Sequence, residues 1–177
     1  MSTTRVMIFI DGSNIHWGIR GYNKEYKTNL KIDYKKLVSL LLKNRVLIRV
    51  MYYCSKPIPP GRTSQIKFLD YLRSNEIQVI DKPLKTRYDP VTKATRYVEK
   101  GVDVALATDL IGMAWEDAYD VAVLVSGDED YAGAVGKVMS KGRNVEVASF
   151  RKNLSRVLKD AALTKIILDD YIPQIKV

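Results

Sequence analysis

Three short stretches of the chain join carboxylates to small polar residues: Asp11-Gly12-Ser13-Asn14, Lys100-Gly101-Val102-Asp103 and Ser126-Gly127-Asp128-Glu129-Asp130. Carboxylates gathered in one place repel. Two unit charges about 4 Å apart cost roughly 4 kcal/mol at an effective dielectric near 20. Such a group is relieved by holding protons, which raises some pKa values, or by holding a divalent cation. The sequence has one cysteine, Cys54, and one histidine, His16. An intrachain disulfide is therefore impossible, and a cysteine-based zinc site is disfavoured. A set of aspartates beside serine and asparagine suits the hard ions Mg²⁺ and Mn²⁺. Mg²⁺ keeps several waters, one of which can attack a phosphodiester. Asp11, Asp103, Asp128 and Asp130 are thus expected both to hold the ion and to carry the catalysis.

Plainer readings stand beside this one. Asp11 or Asn14 can cap a helix, Asp103 can be an N-cap, and the Ser126–Asp130 turn can be an acidic helix start favoured by the helix dipole. Asp109, about 120° round a helix from Asp103, is expected on the surface. Asp117, Asp120, Asp169 and Asp170 belong to no motif and are expected to be solvated. Cys54 lies in an apolar run and reads as a small buried hydrophobe rather than a nucleophile.

The elements that must position these residues follow from periodicity. Residues 6–10 form an apolar run closed by a turn signal, a buried parallel strand ending at Asp11. Asp33 caps a helix through Lys43 with Tyr34, Leu37, Leu40 and Leu41 on one face. Residues 46–54 form a second strand. The stretch 56–61, with Pro57, Pro59 and Pro60, is a loop. Thr63 or Ser64 opens a helix bearing Ile66, Leu69, Tyr71 and Leu72, and residues 77–80 make a third strand. Thr86-Arg87-Tyr88 is echoed by Thr95-Arg96-Tyr97 around Asp89-Pro90, which predicts a hairpin or ordered loop. A helix over 102–115 places Val102, Leu106 and Leu110 on the core side. A fourth strand over 121–125, a helix over 131–141 stopped by Gly142, a fifth strand over 145–150, a helix over 154–162 and a short strand over 165–168 complete the chain. Alternating strands and helices give an α/β fold with a mostly parallel sheet covered on both faces. If the first and fourth strands are neighbours, their carboxyl ends share the crevice where ligands bind in such sheets.

The chain of 177 residues fits one domain, with the hairpin or loop at about 84–100 as an insertion. Twenty-nine Lys and Arg against twenty Asp and Glu give a net charge of +9 and a pI near 9.5, which favours polyanionic partners. Nucleic acid is the commonest of these; a solvated basic surface is the alternative. Lys85, Arg87, Tyr88, Arg96, Tyr97 and Lys100 run directly into Asp103 and are expected to bind it, the cations on phosphates and the tyrosines on unpaired bases. No apolar run is long enough to span a bilayer, and the N-terminus passes straight into a strand without room for a signal peptide, so a cytoplasmic protein with no membrane partner is expected.

At the three acidic stretches the sequence resembles the signatures of the NYN domain family, within its LabA-like branch, one of the PIN-like nucleases. The resemblance rests on Phe9-Ile10-Asp11-Gly12-Ser13-Asn14, Lys100-Gly101-Val102-Asp103 and Ser126-Gly127-Asp128-Glu129-Asp130-Tyr131, and runs in order from about residue 6 to 168. It implies a three-layer, Rossmann-like fold with strand order 3-2-1-4-5. It implies an Mg²⁺- or Mn²⁺-binding pocket of Asp11, Asp103, Asp128 and Asp130, with Ser13, Asn14 and Ser126 as supporting polar residues and Lys100 opening the middle motif. Glu129 and Tyr131 depart from the family pattern, where a small polar residue and Phe are usual, and neither removes a ligand. The expected function is a metal-dependent (endo)ribonuclease acting on single-stranded RNA, RNA being favoured over DNA. The alternative is an RNA-binding or regulatory module with weak or no catalysis, and a homodimer stays open. A phosphatase of the haloacid dehalogenase type would want a second Asp where Ser13 stands.

Overall fold

The computed structural model of the protein describes residues 3–56 and 63–177, apart from the side chains of Thr63 and Arg96. The proline-rich loop expected at 56–61 lies, except for Lys56, outside the described residues. In chain order the first half comprises β1 (Arg5–Asp11), α1 (Gly12–Tyr26), α2 (Tyr34–Leu42), β2 (Val46–Ser55), α3 (Thr63–Ser74) and β3 (Ile77–Lys82). A hairpin of β4 (Lys85–Asp89) and β5 (Ala94–Val98) follows. The second half comprises α4 (Val102–Trp115), β6 (Val121–Val125), α5 (Ala132–Ser140), β7 (Asn144–Ser149), α6 (Arg156–Ala161), β8 (Thr164–Ile167) and α7 (Ile172–Ile175).

Six parallel strands form one sheet in the order β3-β2-β1-β6-β7-β8. This is the expected 3-2-1-4-5 winding, with the short last strand added at the far edge. The central position of β1 is written in its residues. Met7 and Phe9 point into one core, with Val102, Leu106 and Leu110 of α4, Val135 and Val138 of α5 and Leu158 of α6. Val6, Ile8 and Ile10 point into the other, with Ile15 of α1, Leu37 and Leu41 of α2, Leu69 and Leu72 of α3 and Ile175 of α7. A strand buried on both faces must be apolar at every position, which is why 6–10 reads as a run and not as an alternation. Among the described residues no helix is long and apolar enough to cross a membrane.

Helix α2 matches the sequence reading: Asp33 Oδ1 accepts from Lys35 N and Lys36 N at 2.9 and 3.2 Å. Of helix α1 the sequence reading has only a candidate start, with Asp11 or Asn14 as cap. Gly12, Gly18 and Gly21 interrupt its apolar periodicity, and only Gly12, Ile15 and Gly18 are buried, so the pattern carries little helical signal. On α3, Ile66 and Tyr71 are exposed, and the buried face is Leu69 and Leu72.

Asp117 and Asp120 are not merely solvated. Arg5 donates to Asp120 from its backbone N and its guanidinium at 2.8–3.2 Å, and Arg143 bridges Asp120 and Asp117 at 3.0 and 2.8 Å. The hydrogen bonds from Arg5 hold the Asp120 carboxyl below its ordinary range. Asp169 and Asp170 likewise receive Arg151, through its backbone N–H and its guanidinium respectively. Each aspartate meets an arginine far along the chain, and pairings at such separation leave no local motif.

Candidate active site

In the sheet, Ile10 lies beside Val125, so β1 and β6 end at the same level and the residues that follow them meet. Those residues are Asp11 and Ser126. Asp11 is only 5% exposed, and its carboxylate is surrounded by donors. Oδ1 accepts from Ser13 N, Ser13 Oγ and Asn14 N, each at 3.1 Å. Oδ2 accepts from Ser126 Oγ at 3.1 Å and from the Tyr131 hydroxyl at 3.2 Å. The helix-cap reading and the site reading of Asp11 are therefore both realised: one carboxylate starts α1 and faces the crevice.

The loop after β6 is laced to this arrangement. Gly127 N donates to Asn14 Oδ1 at 3.0 Å, Asp128 N to Ser126 Oγ at 3.2 Å, and Asp130 N to Asp128 Oδ1 at 3.1 Å. The Asn14 side chain thus ties the start of α1 to the loop after β6 rather than orienting Asp11. Gly127 allows the close approach: a Cβ there would lie 2.1 Å from the carbonyl oxygen of Asn153.

Asp103, Asp128 and Asp130 are exposed, whereas Asp11 is buried. Asp103 is not the cap of α4; Gly101, at φ 81°, takes that place and Asp103 stands in the first turn. Burial, followed by the carboxylates of Asp11, Asp103 and Asp128, pushes the Tyr131 phenol far above its ordinary pKa, so it remains a donor. These three carboxylates share the neighbourhood of one hydroxyl, whereas Asp130 is not among those acting on it. Asp109 differs from expectation. Its Oδ2 accepts from the fully buried Tyr53 hydroxyl at 2.8 Å, because a buried phenol needs an acceptor. The sequence reading treats Tyr131 only as a departure from the family pattern that removes no ligand. The available signal was a hydroxyl added at the edge of an acidic motif.

The sequence profile of the NYN domain matches residues 5–169. The chain belongs to the NYN domain family. It is 26% identical over 171 residues to the low amplitude and bright protein LabA of Synechococcus elongatus, a match covering 94% of this chain and 85% of LabA. The NYN fold is also seen in a crystal structure of a protein of unknown function from Vibrio parahaemolyticus. That structure superposes with a TM-score of 0.76 at 23% identity, over 99% of this chain and 97% of the other.

Whether these NYN residues suit a divalent cation turns on donor chemistry and lone pairs. The donors are all hard oxygens, and Mg²⁺-type ions commonly take one or two carboxylates and complete their shell with water. Among the described residues no protein group donates to the Asp103 carboxylate or to Asp128 Oδ2, so both are open to an ion. No three Asp, Glu, His or Cys side chains among the described residues form a ready cage. A carboxylate offers about four lone-pair sites, and Asp11 already receives five donors. The oxygens are of the type a hard cation takes, but among the described residues they form no group that could hold one, and the Asp11 carboxylate is already engaged.

Beside Asp11 a groove of about 540 Å³ is lined by Gly12, Ser13, His16, Trp17, Phe68 and Glu99. Trp17 is 57% exposed and has the Arg20 guanidinium 5.2 Å from its ring centroid. Sequence reading missed Trp17, since nothing local marks it. Cys54 lies on the groove floor, where burial pushes its thiol up to about 12, against nucleophilic use. The hairpin abuts the groove through Glu99, whose Oε2 accepts from Ser55 Oγ at 2.6 Å. In its register Thr86 faces Tyr97 and Tyr88 faces Thr95, so the two tyrosines stand diagonally on one face of the ribbon. Lys85 and Arg87 lie on the other face. Cations and aromatics that interleave in the sequence are thereby separated in space. Lys100 is exposed, and the Arg96 side chain is outside the described residues.

Proposed function

We propose that this NYN protein is a divalent-metal-dependent ribonuclease that hydrolyses phosphodiester bonds in single-stranded RNA. The observation that carries the reading is the buried, fully hydrogen-bonded Asp11 at the carboxyl end of β1, tied to the loop after β6 that carries Asp128, in a chain of net charge +9. Membership in a family of PIN-like nucleases supports it.

In this reading Asp11, Asp103, Asp128 and Asp130 hold Mg²⁺ or Mn²⁺, while Ser13, Asn14 and Ser126 fix Asp11 and the loop after β6. A bound ion would supply positive charge for the developing phosphoryl negative charge and would lower the pKa of an attacking water. RNA lies along the groove, with Trp17 offering a stacking face for an unpaired base and the hairpin offering Tyr88 and Tyr97 on one side and Lys85 and Arg87 on the other. Labelled single-stranded RNA and DNA incubated with Mn²⁺, Mg²⁺ or EDTA test this. RNA cleavage that EDTA stops is expected. RNA that stays intact with either ion, or cleavage that persists in EDTA, overturns it.

The five donors on Asp11 favour a second reading, an RNA-binding or regulatory module with weak or no catalysis. RNA binding without cleavage under the same conditions is its signature.

A further inference from the structure

A second cavity, of about 520 Å³, lies beside the groove that borders Asp11. His16, Tyr52 and Phe68 line both, so the two are neighbours across these three side chains. Its size falls within the roughly 300–1,000 Å³ of small-ligand pockets. Tyr52 ties the cavity to the acidic site: a Cβ on Gly12, the residue after Asp11, would lie 2.7 Å from the Tyr52 hydroxyl oxygen. Along α1, Ser13 lines the groove and Ile19 the cavity, about 9 Å further on at the helical rise. The cavity wall is aromatic. Tyr34, Tyr52 and Phe68 contact one another with ring centroids 5.3–5.8 Å apart. Tyr71 adds a ring that is 39% exposed. Polar groups stand on the same wall. His16 and Lys31 are exposed there. Asp33 uses Oδ1 to cap α2, and no protein group among the described residues donates to its Oδ2.

A hydrocarbon occupant would leave Asp33, Lys31 and His16 without use, whereas a flat ring with a hydrogen-bonding edge uses both kinds of wall. We infer that this cavity receives one unpaired nucleobase of a single-stranded RNA whose backbone follows the groove beside Asp11. The inference rests on the RNA-directed reading shared by both functions proposed above, and it needs no bound ion. Tyr71 is the exposed ring on which the base stacks, and Asp33 Oδ2 is an acceptor for one of its N–H groups. Lys31 serves a flanking phosphate. Trp17 lines the groove and not the cavity, so a base on Trp17 and a base in the cavity belong to different nucleotides of one strand. A duplex keeps its bases paired and has none to offer, so the cavity selects single strands.

The test is binding of a short labelled single-stranded RNA in EDTA, followed by fluorescence anisotropy, with one abasic site placed at each position in turn. The proteins are the wild type, Tyr71→Ala, Tyr71→Phe and Trp17→Ala. For the wild type, an abasic site at the cavity position should weaken binding about tenfold, the scale of one stacked base. Tyr71→Ala should bind the intact RNA about tenfold more weakly and no longer respond to that abasic site. Tyr71→Phe keeps the ring and should behave as the wild type, and Trp17→Ala should leave the response at that position in place. If the intact RNA binds and no abasic penalty depends on Tyr71, the cavity is not a base site, and the RNA-directed reading stands. If the wild type binds no RNA, that reading falls, and the inference with it. Should Tyr71→Ala not fold, Asp33→Asn decides, since Asn also caps a helix. Loss of part of the same abasic penalty is expected, and an unaltered penalty overturns the inference.

Discussion

In the proposed reading Asp11 and the tyrosines of the β4–β5 hairpin both meet nucleic acid, yet they are held in opposite ways. Asp11 is 5% exposed and carries five hydrogen bonds from the first turn of α1, the loop after β6 and a core tyrosine. Tyr88 and Tyr97 are 61% and 59% exposed on a ribbon whose strands pair only with each other. Two-stranded ribbons are marginal by themselves, and none of this one's described side chains joins either core. Bond cleavage needs reacting groups fixed within a fraction of an ångström, which only a packed core supplies. Contact with a flexible polymer tolerates side chains that adjust.

The contrast within the acidic set is the first to break. Asp11→Asn and Asp128→Asn should each lower RNA hydrolysis by on the order of a hundredfold or more. Only Asp11→Asn should also lower the melting temperature, because its amide would turn an N–H group toward donors that now meet an acceptor. Single-turnover cleavage together with thermal melting separates the two, and full activity in Asp128→Asn would remove the exposed carboxylate from the mechanism. Gly127→Ala tests the frame alone. Its Cβ would sit 2.1 Å from the Asn153 carbonyl oxygen, so a loss of about 2 kcal/mol by urea unfolding is expected, with cleavage reduced as the loop shifts. Wild-type stability in that variant would mean the two loops are not tightly packed.

The same contrast explains what the sequence disclosed. Residues 6–10 and 121–125 are apolar at every position because both faces of their strands are buried, so the central strands and the carboxylates that end them could be read directly. Asp33 and Gly142 punctuate helices by local chemistry and were equally legible. The body of helix α1 was not, since Gly12 and Gly18 fit close contacts with Tyr52 and Phe150 rather than a helical pattern. The partners of Asp117, Asp120 and Asp109 lie 26, 115 and 56 residues away, beyond any local pattern. The hairpin was legible as a hairpin. Its two faces required the register.

That register gives a prediction of intermediate size. Tyr88→Ala with Tyr97→Ala should weaken single-stranded RNA binding about tenfold with little change in salt dependence, as removal of stacking does. Lys85→Ala with Arg87→Ala should instead flatten the salt dependence, by about 0.7 in slope for each phosphate no longer neutralised. Binding measured across a salt series distinguishes them, and identical behaviour of the two pairs would mean that the faces do not act separately.

The smallest effect lies at the opposite end of the sheet. Asp120 has a lowered folded-state pKa through Arg5, so its contribution is present above the unfolded value near 3.9 and is lost as pH falls through the lower folded value. Asp120→Asn should therefore cost at most about 1 kcal/mol at neutral pH and flatten the acid side of the stability profile below about pH 4, with cleavage at pH 7 unchanged. An acid limb identical to the wild type would show that the pair with Arg5 does not couple to folding.

The seating of β1 between β2 and β6 also sets a clock on synthesis. Asp11 and Ser126 are 115 residues apart in the chain, and β6 closes the flank that β2 leaves open. At ordinary translation speeds that separation is a delay on the order of ten seconds. Throughout it, Val6, Ile8 and Ile10 stand on a strand with one bare edge, the kind of edge that pairs with the wrong neighbour. A nascent chain stopped short of β6 owns Asp11 but none of Ser126, Asp128 or Tyr131, so the complete set of groups arises only in a chain that has already closed its sheet.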